Sequence, residues 1–360
     1  LLTDYQVVIV GVDEPMVKEW IDERKFLELN DDESIDAESL AAQVGVLKAI
    51  KDYDLKRLIS FHSRVTRAQN FSQDILSILP IIPKKDSPKG ILKTDYVSGQ
   101  MATNKRRQKL EQLKHLNDCD RQILSNARCL SEGVDVPALE GIAVIDPRKS
   151  QVDIVQTVGR AIRLSEDKSV GTIVIPVFIQ NGDDPDLAIE NSNFKPVYDV
   201  LNALKSHDEQ LAFELDEMRT EMGRRKPSTG PSSKIPKVTI DLPKHFSLDF
   251  AESIRTILIE RSTESWNFWY GLLENYKAQH KSVLVPKSYK TPKGYGLGGW
   301  VSGNRTDNNK GKLSKERIAQ LDALGFVWDP RDQQWNIGFE SLKEYKAQHN
   351  SVSVPDNYKT

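Results

Sequence analysis

The sequence predicts an α/β protein, in which a parallel sheet with helices on both faces is followed by small all-α helical-bundle repeats. Two observations predict this fold class. Residues 1–180 alternate short runs rich in Val and Ile with amphipathic stretches, and this alternation is typical of a parallel sheet with crossover helices. The C-terminal part contains an internal repeat whose apolar residues recur at helical spacing.

Strands and helices alternate through the first half of the chain. The predicted strands are Tyr5–Val10, Arg57–Phe61, Ile91–Val97, Gln122–Ser125, Gly141–Ile145 and Gly171–Phe178. The predicted helices between them are Ala37–Lys51, Arg67–Leu79, Lys105–Leu116 and Val152–Ile162. Ligands bind beyond the carboxyl ends of parallel strands, so the loops after Phe61, Val97, Ser125 and Ile145 are the candidate binding loops.

The remaining chain divides by composition. Residues 181–222 read as a helical extension, and residues 223–245 as an exposed linker rich in Gly, Pro and Ser with a lone strand at Val238–Leu242. Residues 246–334 form a predicted helical domain. The chain has no run of about 20 apolar residues, so no membrane partner is expected. Its two cysteines, Cys119 and Cys129, form no CxxC pair, which predicts a cytoplasmic protein without a metal site.

An internal repeat occupies the C-terminal part. The segment that begins at Trp266 realigns on the segment that begins at Trp335 with a spacing of 69 residues (335 − 266). We expect the first copy to form a compact three-helix unit and residues 335–360 to be a truncated second copy. Because the copies align in register, Trp266 and Trp335 are expected to lie in similar environments.

One stretch of the chain is strongly basic. From Lys281 to Arg317 there are nine Lys or Arg residues against two acidic residues, although the whole chain has a net charge of −2. This imbalance favours an anionic partner. Cations interleaved with aromatic rings are typical of single-strand nucleic-acid binding, and the candidates are Lys290, Lys293, Tyr295, Trp300 and Arg305. The alternative is that these charges only solubilise a protein-docking module.

The most distinctive motif follows the strand at Gly141–Ile145. Gln156, Gly159, Arg160 and Arg163 lie three or four residues apart, on one face of a predicted helix. Two guanidinium groups one turn apart suit a polyphosphate, which each can grip through paired donors. The alternative is a helix whose arginines form salt bridges.

Three further motifs follow predicted strands. Asn126 opens a segment that contains Gly133 and Asp135, and an acid beside a Gly turn can accept a ribose hydroxyl or cap the next turn. Ser63 and Arg64 follow the strand at Arg57–Phe61, whereas the neighbouring His62 is given no catalytic role. Gly99, followed by Asn104 and three cations, is a weaker signal for phosphate contact.

In this order and spacing, the four motifs resemble motifs IV, IVa, V and VI of the second RecA-like domain of superfamily 2 helicases. The resemblance implies that Gly133 and Asp135 lie beside the ATP ribose. It also implies that Arg160 and Arg163 reach the γ-phosphate, with Arg163 as the arginine finger. Gln156 would couple this cleft to the nucleic acid, and Gly159 would permit close approach within it.

The same resemblance places Ser63, Arg64, Gly99 and Asn126 near the phosphodiester backbone. Many relatives have Thr where this chain has Ala127, so that hydroxyl contact is either absent or supplied by Ser125 or Asn126. The repeat resembles the helicase-associated domain found downstream of such motors in bacteria.

The sequence contains no G-x-x-x-x-G-K-[ST] loop, so nothing in it cradles the β- and γ-phosphates of ATP. The segment Val10–Glu14 is interpreted as a strand followed by a polar turn rather than as a magnesium site. We therefore expect ATP and Mg²⁺ to be bound mainly by a missing N-terminal RecA-like lobe, and this chain alone to be inactive as an ATPase.

The sequence thus predicts the C-terminal part of an ATP-dependent helicase or translocase. Its partners would be nucleic acid, with DNA favoured over RNA, and the first lobe of the same protein. The alternative is a non-enzymatic adaptor, with a degenerate RecA-like fold, that binds DNA or protein.

Overall fold

The computed structural model describes residues 4–18, 37–80, 82–84, 86–127, 139–146, 170–179, 187, 192, 194–224, 234–355 and 358. The chain divides into two compact units. The sheet unit comprises Leu1–Asp216 and Gly230–Thr263, and the helical unit comprises Glu217–Thr229 and Glu264–Thr360. None of the helices in these described ranges is long and apolar enough to cross a membrane.

Within its described residues, the sheet unit contains seven parallel strands in the order β3-β4-β2-β5-β6-β1-β7. The strands are β1 Asp4–Asp13, β2 Arg57–His62, β3 Leu92–Ser98, β4 Arg121–Ala127, β5 Gly141–Asp146, β6 Val170–Ile179 and β7 Val238–Asp241. Its helices are α1 Ala37–Asp52, α2 Val65–Ile78, α3 Thr103–His115, α4 Lys195–Lys205, α5 Glu209–Arg224, which ends in the helical unit, and α6 Leu248–Ser262. The predicted fold class is confirmed, while the helix predicted at Val152–Ile162 lies outside the described residues.

Burial on both faces explains why the strands read as unbroken apolar runs. In β1, Val8 and Val10 belong to the core that α1 and α2 cover. Val7 and Ile9 point to the opposite face, because side chains alternate along a strand, and they are equally buried. A strand covered on both faces has no polar side to reveal its register in the sequence.

The last strand and helix of the sheet unit along the chain lie in places that the sequence did not predict. The strand predicted to stand alone is β7, which pairs in parallel with β1 from Val7 opposite Val238 to Val10 opposite Asp241. A strand of four residues is too short for its sequence pattern to indicate its pairing partner. That partner lies more than two hundred residues earlier in the chain. The following helix α6 packs against α4 and groups with the sheet unit, whereas the sequence assigned residues 246–263 to the helical domain.

Three helices form the body of the helical unit: α7 Ser265–His280, α8 Leu297–Asn309 and α9 Lys315–Ala323. Ser314 caps α9 by accepting a hydrogen bond from the Arg317 amide at 3.4 Å. The shared core is apolar, and its most buried members are Leu273, Leu297, Val301 and Leu321.

The second copy of the repeat forms helix α10, Pro330–His349, and the turn after it. In the first copy, the rings of Tyr276, His280 and Tyr289 form a cluster with centroid distances of 4.2, 4.8 and 6.1 Å. Tyr345, His349 and Tyr358 reproduce it in the second copy, at 4.4, 4.7 and 5.9 Å. The environments of the paired tryptophans nevertheless differ, because Trp266 is 8% exposed and Trp335 is 71% exposed. The expectation of similar environments is wrong, since α8 and α9 cover the first copy and residues 335–358 contain no counterpart of them.

Candidate functional site

Four strands of the sheet unit end side by side at one edge. Strands β3, β4, β2 and β5 are consecutive neighbours, and the last paired residues are Ser98 with Ala127, Ala127 with His62, and His62 with Asp146. Because all the strands are parallel, the loops that follow them leave from the same edge. Each of the four sequence motifs belongs to one of these strands. The motif either overlaps the end of its strand or lies in the segment that follows it along the chain.

Asp146 holds the loop that follows β2. Its carboxylate accepts hydrogen bonds from the Ser63 amide at 2.5 Å and from the Ser63 hydroxyl at 2.8 Å. The same carboxylate forms an ion pair with Arg67 at 2.7 Å. Asp146 is only 16% exposed, whereas Arg67 is 60% exposed. Two hydrogen bonds to one half-buried carboxylate fix Ser63 at the start of α2.

Arg64 and Gly99 lie on the surface at the same edge. Arg64 is the N-cap residue of α2, with an extended backbone and no side-chain cap. Gly99 follows β3 in a turn that the Met101 amide closes by donating to the Ser98 carbonyl at 3.1 Å. Within the described residues the Arg64 guanidinium has no ion-pair partner, so its charge remains available to an anion.

The polar residues near the end of β4 are buried. Asn126 is 4% exposed, and Ser125 is fully buried with its hydroxyl 3.0 Å from that of Ser60. Ser125 therefore does not supply the hydroxyl contact that Ala127 lacks. Asn126, expected as a nucleic-acid contact, presents almost no surface, because β4 is an interior strand flanked by β2 and β3.

His62, at the end of β2, is buried. Its ring packs 4.9 Å from the Phe71 ring, and Nε2 lies 3.0 Å from the Ser60 hydroxyl. Burial lowers the pKa of His62 to about 4, although the charge of Asp146 acts in the opposite direction. The imidazole is therefore neutral near pH 7.

The residues expected to contact ATP lie outside the described part of the chain. They are Gly133, Asp135, Gln156, Gly159, Arg160 and Arg163. The first two belong to the segment after β4, and the other four to the segment between β5 and β6. Asp13, from the acidic pair interpreted as a strand end, is buried at the end of β1 with its carboxylate 3.1 Å from the His245 ring.

The basic stretch separates into lysines and arginines of different character. All seven of its lysines are exposed, and none forms an ion pair within the ranges that the structure describes; they are Lys281, Lys287, Lys290, Lys293, Lys310, Lys312 and Lys315. Unpaired surface ammonium groups keep their charge for an external anion, and releasing counterions on binding would make that binding salt-dependent.

The two arginines of the stretch have structural roles. Arg305 was a candidate for nucleic-acid contact, which requires a free and exposed guanidinium. Its Nε instead donates to the Val327 carbonyl at 2.8 Å, and its guanidinium lies over the Phe326 ring. Burial lowers its pKa. The expectation failed because Arg305 lies within α8, on the side that packs against the segment after α9. Arg317 forms an ion pair with Glu264 and lies over the Trp266 ring at 5.2 Å.

Aromatic rings form a connected row in the helical unit. Tyr295, 39% exposed, packs edge-on against Trp269 at 6.0 Å, and Trp269 is nearly parallel to Trp300 at 6.3 Å. Trp300 in turn meets the buried Trp266 at 5.9 Å. A cavity of about 470 Å³ opens beside this row. Its lining consists of Glu264, Ser265, Trp266, Trp269, Trp300 and Arg317.

Sequence reasoning missed two groups of residues. Asp146 is the first residue after the strand predicted at Gly141–Ile145, so the rule about strand ends pointed to this loop without naming the carboxylate. Nothing in the local sequence links Arg67 to it, because the two are 79 residues apart. Of the residues that line the cavity, only Trp300 was a sequence candidate. The others were not identified, since the cavity combines residues from three helices.

Two family models match the chain. Residues 46–165 match the helicase conserved C-terminal domain, and residues 263–329 match the helicase associated domain. The first match covers strands β2 to β5 and the segments that carry the motifs, and the second covers α7 to α9. The predicted resemblance is confirmed.

Relatives agree with these matches. The protein named "Putative helicase 22" of Sulfolobus islandicus filamentous virus (isolate Iceland/Hveragerdi) is 30% identical over 84 residues, which is 23% of this chain and 14% of that protein. An ATP-dependent type ISP restriction-modification enzyme, LlaBIII, solved bound to DNA, is similar over 92% of this chain and 25% of its own, with a TM-score of 0.56 and 20% identity. That likeness concerns the fold, and the chain spans a quarter or less of either relative.

Proposed function

We propose that this chain, which contains the C-terminal domain of a superfamily 2 helicase followed by a helicase associated domain, is the part of an ATP-dependent helicase or translocase that completes the ATP site and contacts nucleic acid. One observation carries the proposal. The segments that carry the four motifs follow, along the chain, four strands that are adjacent and parallel in the sheet, so that nucleotide and nucleic-acid contacts can be coupled through one edge.

On the nucleotide side, Arg163 would act as the arginine finger, with Arg160 beside it. A guanidinium placed at the transferred phosphoryl group stabilises the charge that develops there. Gly133 and Asp135 would contact the ribose, and Gln156 and Gly159 would line the same cleft. MgATP itself would be held mainly by a first RecA-like lobe, since the 360 residues contain no phosphate-binding loop of the Walker type.

On the nucleic-acid side, two regions would contribute. Arg64 and Gly99 would contact the phosphodiester backbone at the sheet edge. Ser63, whose amide and hydroxyl both donate to Asp146, would hold the start of α2 in place for that contact. Lys290 and Lys293 would add electrostatic attraction from the helical unit. We take DNA as the track in preference to RNA because the similar type ISP enzyme was solved bound to DNA.

The ATPase part is tested by comparing this chain with a polypeptide that joins it to a first RecA-like lobe. The chain alone should show no magnesium-dependent hydrolysis, and the joined protein should hydrolyse ATP. There Arg163→Ala should slow turnover by ~10³-fold or more and leave nucleotide affinity comparatively intact. The matched control is Arg331→Ala, which replaces an exposed arginine at the start of α10 and should leave turnover unchanged. Robust hydrolysis by the isolated chain would contradict the proposal.

The binding part is tested by titrating an oligonucleotide at several salt concentrations. Log affinity falls with log salt at a slope of about −0.9 per phosphate neutralised on duplex DNA. Replacing Lys290 and Lys293 with Ala should therefore make the slope shallower by about two. The matched control replaces Lys343 and Lys346, two exposed lysines of α10, and should change little. Absence of binding by the unsubstituted chain would favour the protein-docking adaptor instead.

A further inference from the structure

We infer that the cavity beside Trp269 and Trp300 binds one unpaired nucleobase of a single-stranded nucleic acid. The inference rests on the proposed function and adds a site of base contact to it. The cavity, at about 470 Å³, falls within the ~300–1,000 Å³ range of small-molecule pockets. Its lining combines three indole rings with one ion pair and one hydroxyl.

The indoles provide the stacking surface. Trp269 and Trp300 are both half-buried, and their rings are inclined by only 13° to one another. Trp266, at 8% exposure, is the closed side of the cavity. Unpaired bases are commonly held on the faces of such aromatic rings, and the interaction tolerates any base because every base has a π face.

The rim of the cavity provides polar groups. The Arg317 guanidinium is held over Trp266 by its ion pair with Glu264. Glu264 precedes α7, and Ser265 is the first residue of that helix. Guanidinium donors, a carboxylate acceptor and a hydroxyl together match the mixed donors and acceptors on the edge of a base.

Tyr295 connects the basic stretch to this cavity. The turn that contains Lys293 is closed by the Thr291 amide donating to the Tyr295 carbonyl at 2.9 Å and the Tyr295 amide donating to the Thr291 hydroxyl at 3.1 Å. The ring of Tyr295 then packs against Trp269. A nucleic-acid strand with one base stacked in the cavity would thus pass beside an ordered basic turn. This arrangement accounts for the occurrence of lysines and aromatic rings in the same stretch of sequence.

The internal repeat contains a copy of the helix and turn in which Trp269 has no aromatic counterpart. The counterpart of Trp269 in the second copy is Gly338 (269 + 69), where a side chain would meet nothing within 4 Å. Helix α10 and its ring cluster form all the same. Trp269 is therefore unnecessary for this helix and turn, whereas Tyr276 and Tyr345 are retained in both copies.

The test uses the whole 360-residue chain and pairs of oligonucleotides with equal numbers of phosphates. Oligothymidylate is compared with an abasic oligonucleotide of the same length, by fluorescence anisotropy at constant salt. Because each stacked base adds substantially to the binding free energy, the abasic strand should bind ~10-fold more weakly than oligothymidylate. Oligouridylate, compared with oligothymidylate, distinguishes an RNA base from a DNA base as the ligand. A blunt duplex should gain nothing from the cavity because its bases are paired.

Variants assign the effect to the cavity. Trp300→Leu should abolish the preference for bases over abasic sites, and Trp300→Phe should retain part of it. The matched control is Trp328→Leu, because Trp328 belongs to the same aromatic core but does not line the cavity. Helix content by circular dichroism verifies that the variants fold. If the unsubstituted chain bound abasic and normal strands equally, the base site would be refuted while the electrostatic proposal survived. If neither strand bound, both proposals would fail.

Discussion

Replacing Asp146 with Ala should destabilise the sheet unit and loosen the loop that carries Ser63. The carboxylate is 16% exposed and accepts two hydrogen bonds from Ser63. A hydrogen bond to a charged group contributes about 1.5–3 kcal/mol, so the loss should be about 3 kcal/mol. The ion pair with Arg67 should add less than about 1 kcal/mol, because Arg67 is mostly in water.

The assay is urea unfolding followed by circular dichroism. Asp146→Asn should cost about half as much as Asp146→Ala, because the amide oxygen still accepts one hydrogen bond, whereas Arg67→Ala should cost less than about 1 kcal/mol. Asp118→Ala is the matched control, since Asp118 is 72% exposed in a surface pair with Lys93, and should change stability by less than about 0.5 kcal/mol. An Arg67→Ala loss as large as that of Asp146→Ala would refute the reasoning.

Three further predictions follow from the structure. His62 has its pKa lowered to about 4, so the unfolded state takes up the proton first and stability falls as pH decreases from 6.5 towards 4. Between pH 7 and pH 5 this loss should be about 2 kcal/mol, and His62→Gln should remove it in urea unfolding at both pH values. Gly271→Ala would place a Cβ 2.0 Å from the Thr220 carbonyl oxygen and should lower thermal stability by about 1–3 kcal/mol or more. At Gly338, an added Cβ meets open space, so Gly338→Ala should raise stability by about 0.5–1 kcal/mol. Equal effects of the two glycine substitutions would contradict the packing described. Arg305→Ala should destabilise the helical unit by about 1–3 kcal/mol through its lost bond and ring contact, whereas Lys290→Ala should not, and equal unfolding curves would show that Arg305 has no structural role.

Much of the fold could be predicted because its signals are local. A strand buried on both faces must be apolar along its whole length, and the runs at Tyr5–Val10 and Gly171–Phe178 showed this directly. The repeat was equally visible, because a duplicated helix and turn preserve the residues that pack within them, such as Tyr276 and Tyr345. The loops that follow the strands were also predictable, because parallel strands end at one edge.

Burial of individual polar residues could not be predicted in the same way. Arg305 and Lys290 contribute the same charge to the basic stretch, yet Arg305 packs on Phe326 while Lys290 is exposed. Asn126 follows a predicted strand just as Ser63 does, but β4 continues to Ala127 and keeps Asn126 within the sheet. Ser63 lies beyond the end of β2, where Asp146 holds it. Spacing and charge describe a residue by its neighbours in sequence, whereas these outcomes depend on partners that lie far away in the chain.

The sequence by itself thus determined the class of fold, the order of its strands along the chain, the repeat and the family resemblance. Each of these depends on periodicity or on motif spacing. The tertiary structure alone decided that β7 joins β1, that Asp146 binds Ser63, that Trp335 lies exposed where Trp266 is covered, and that three indoles from two helices share a cavity with Arg317. The physical reason is that long-range contacts arise when separate apolar surfaces are buried together, and that burial depends on the whole chain rather than on any one segment.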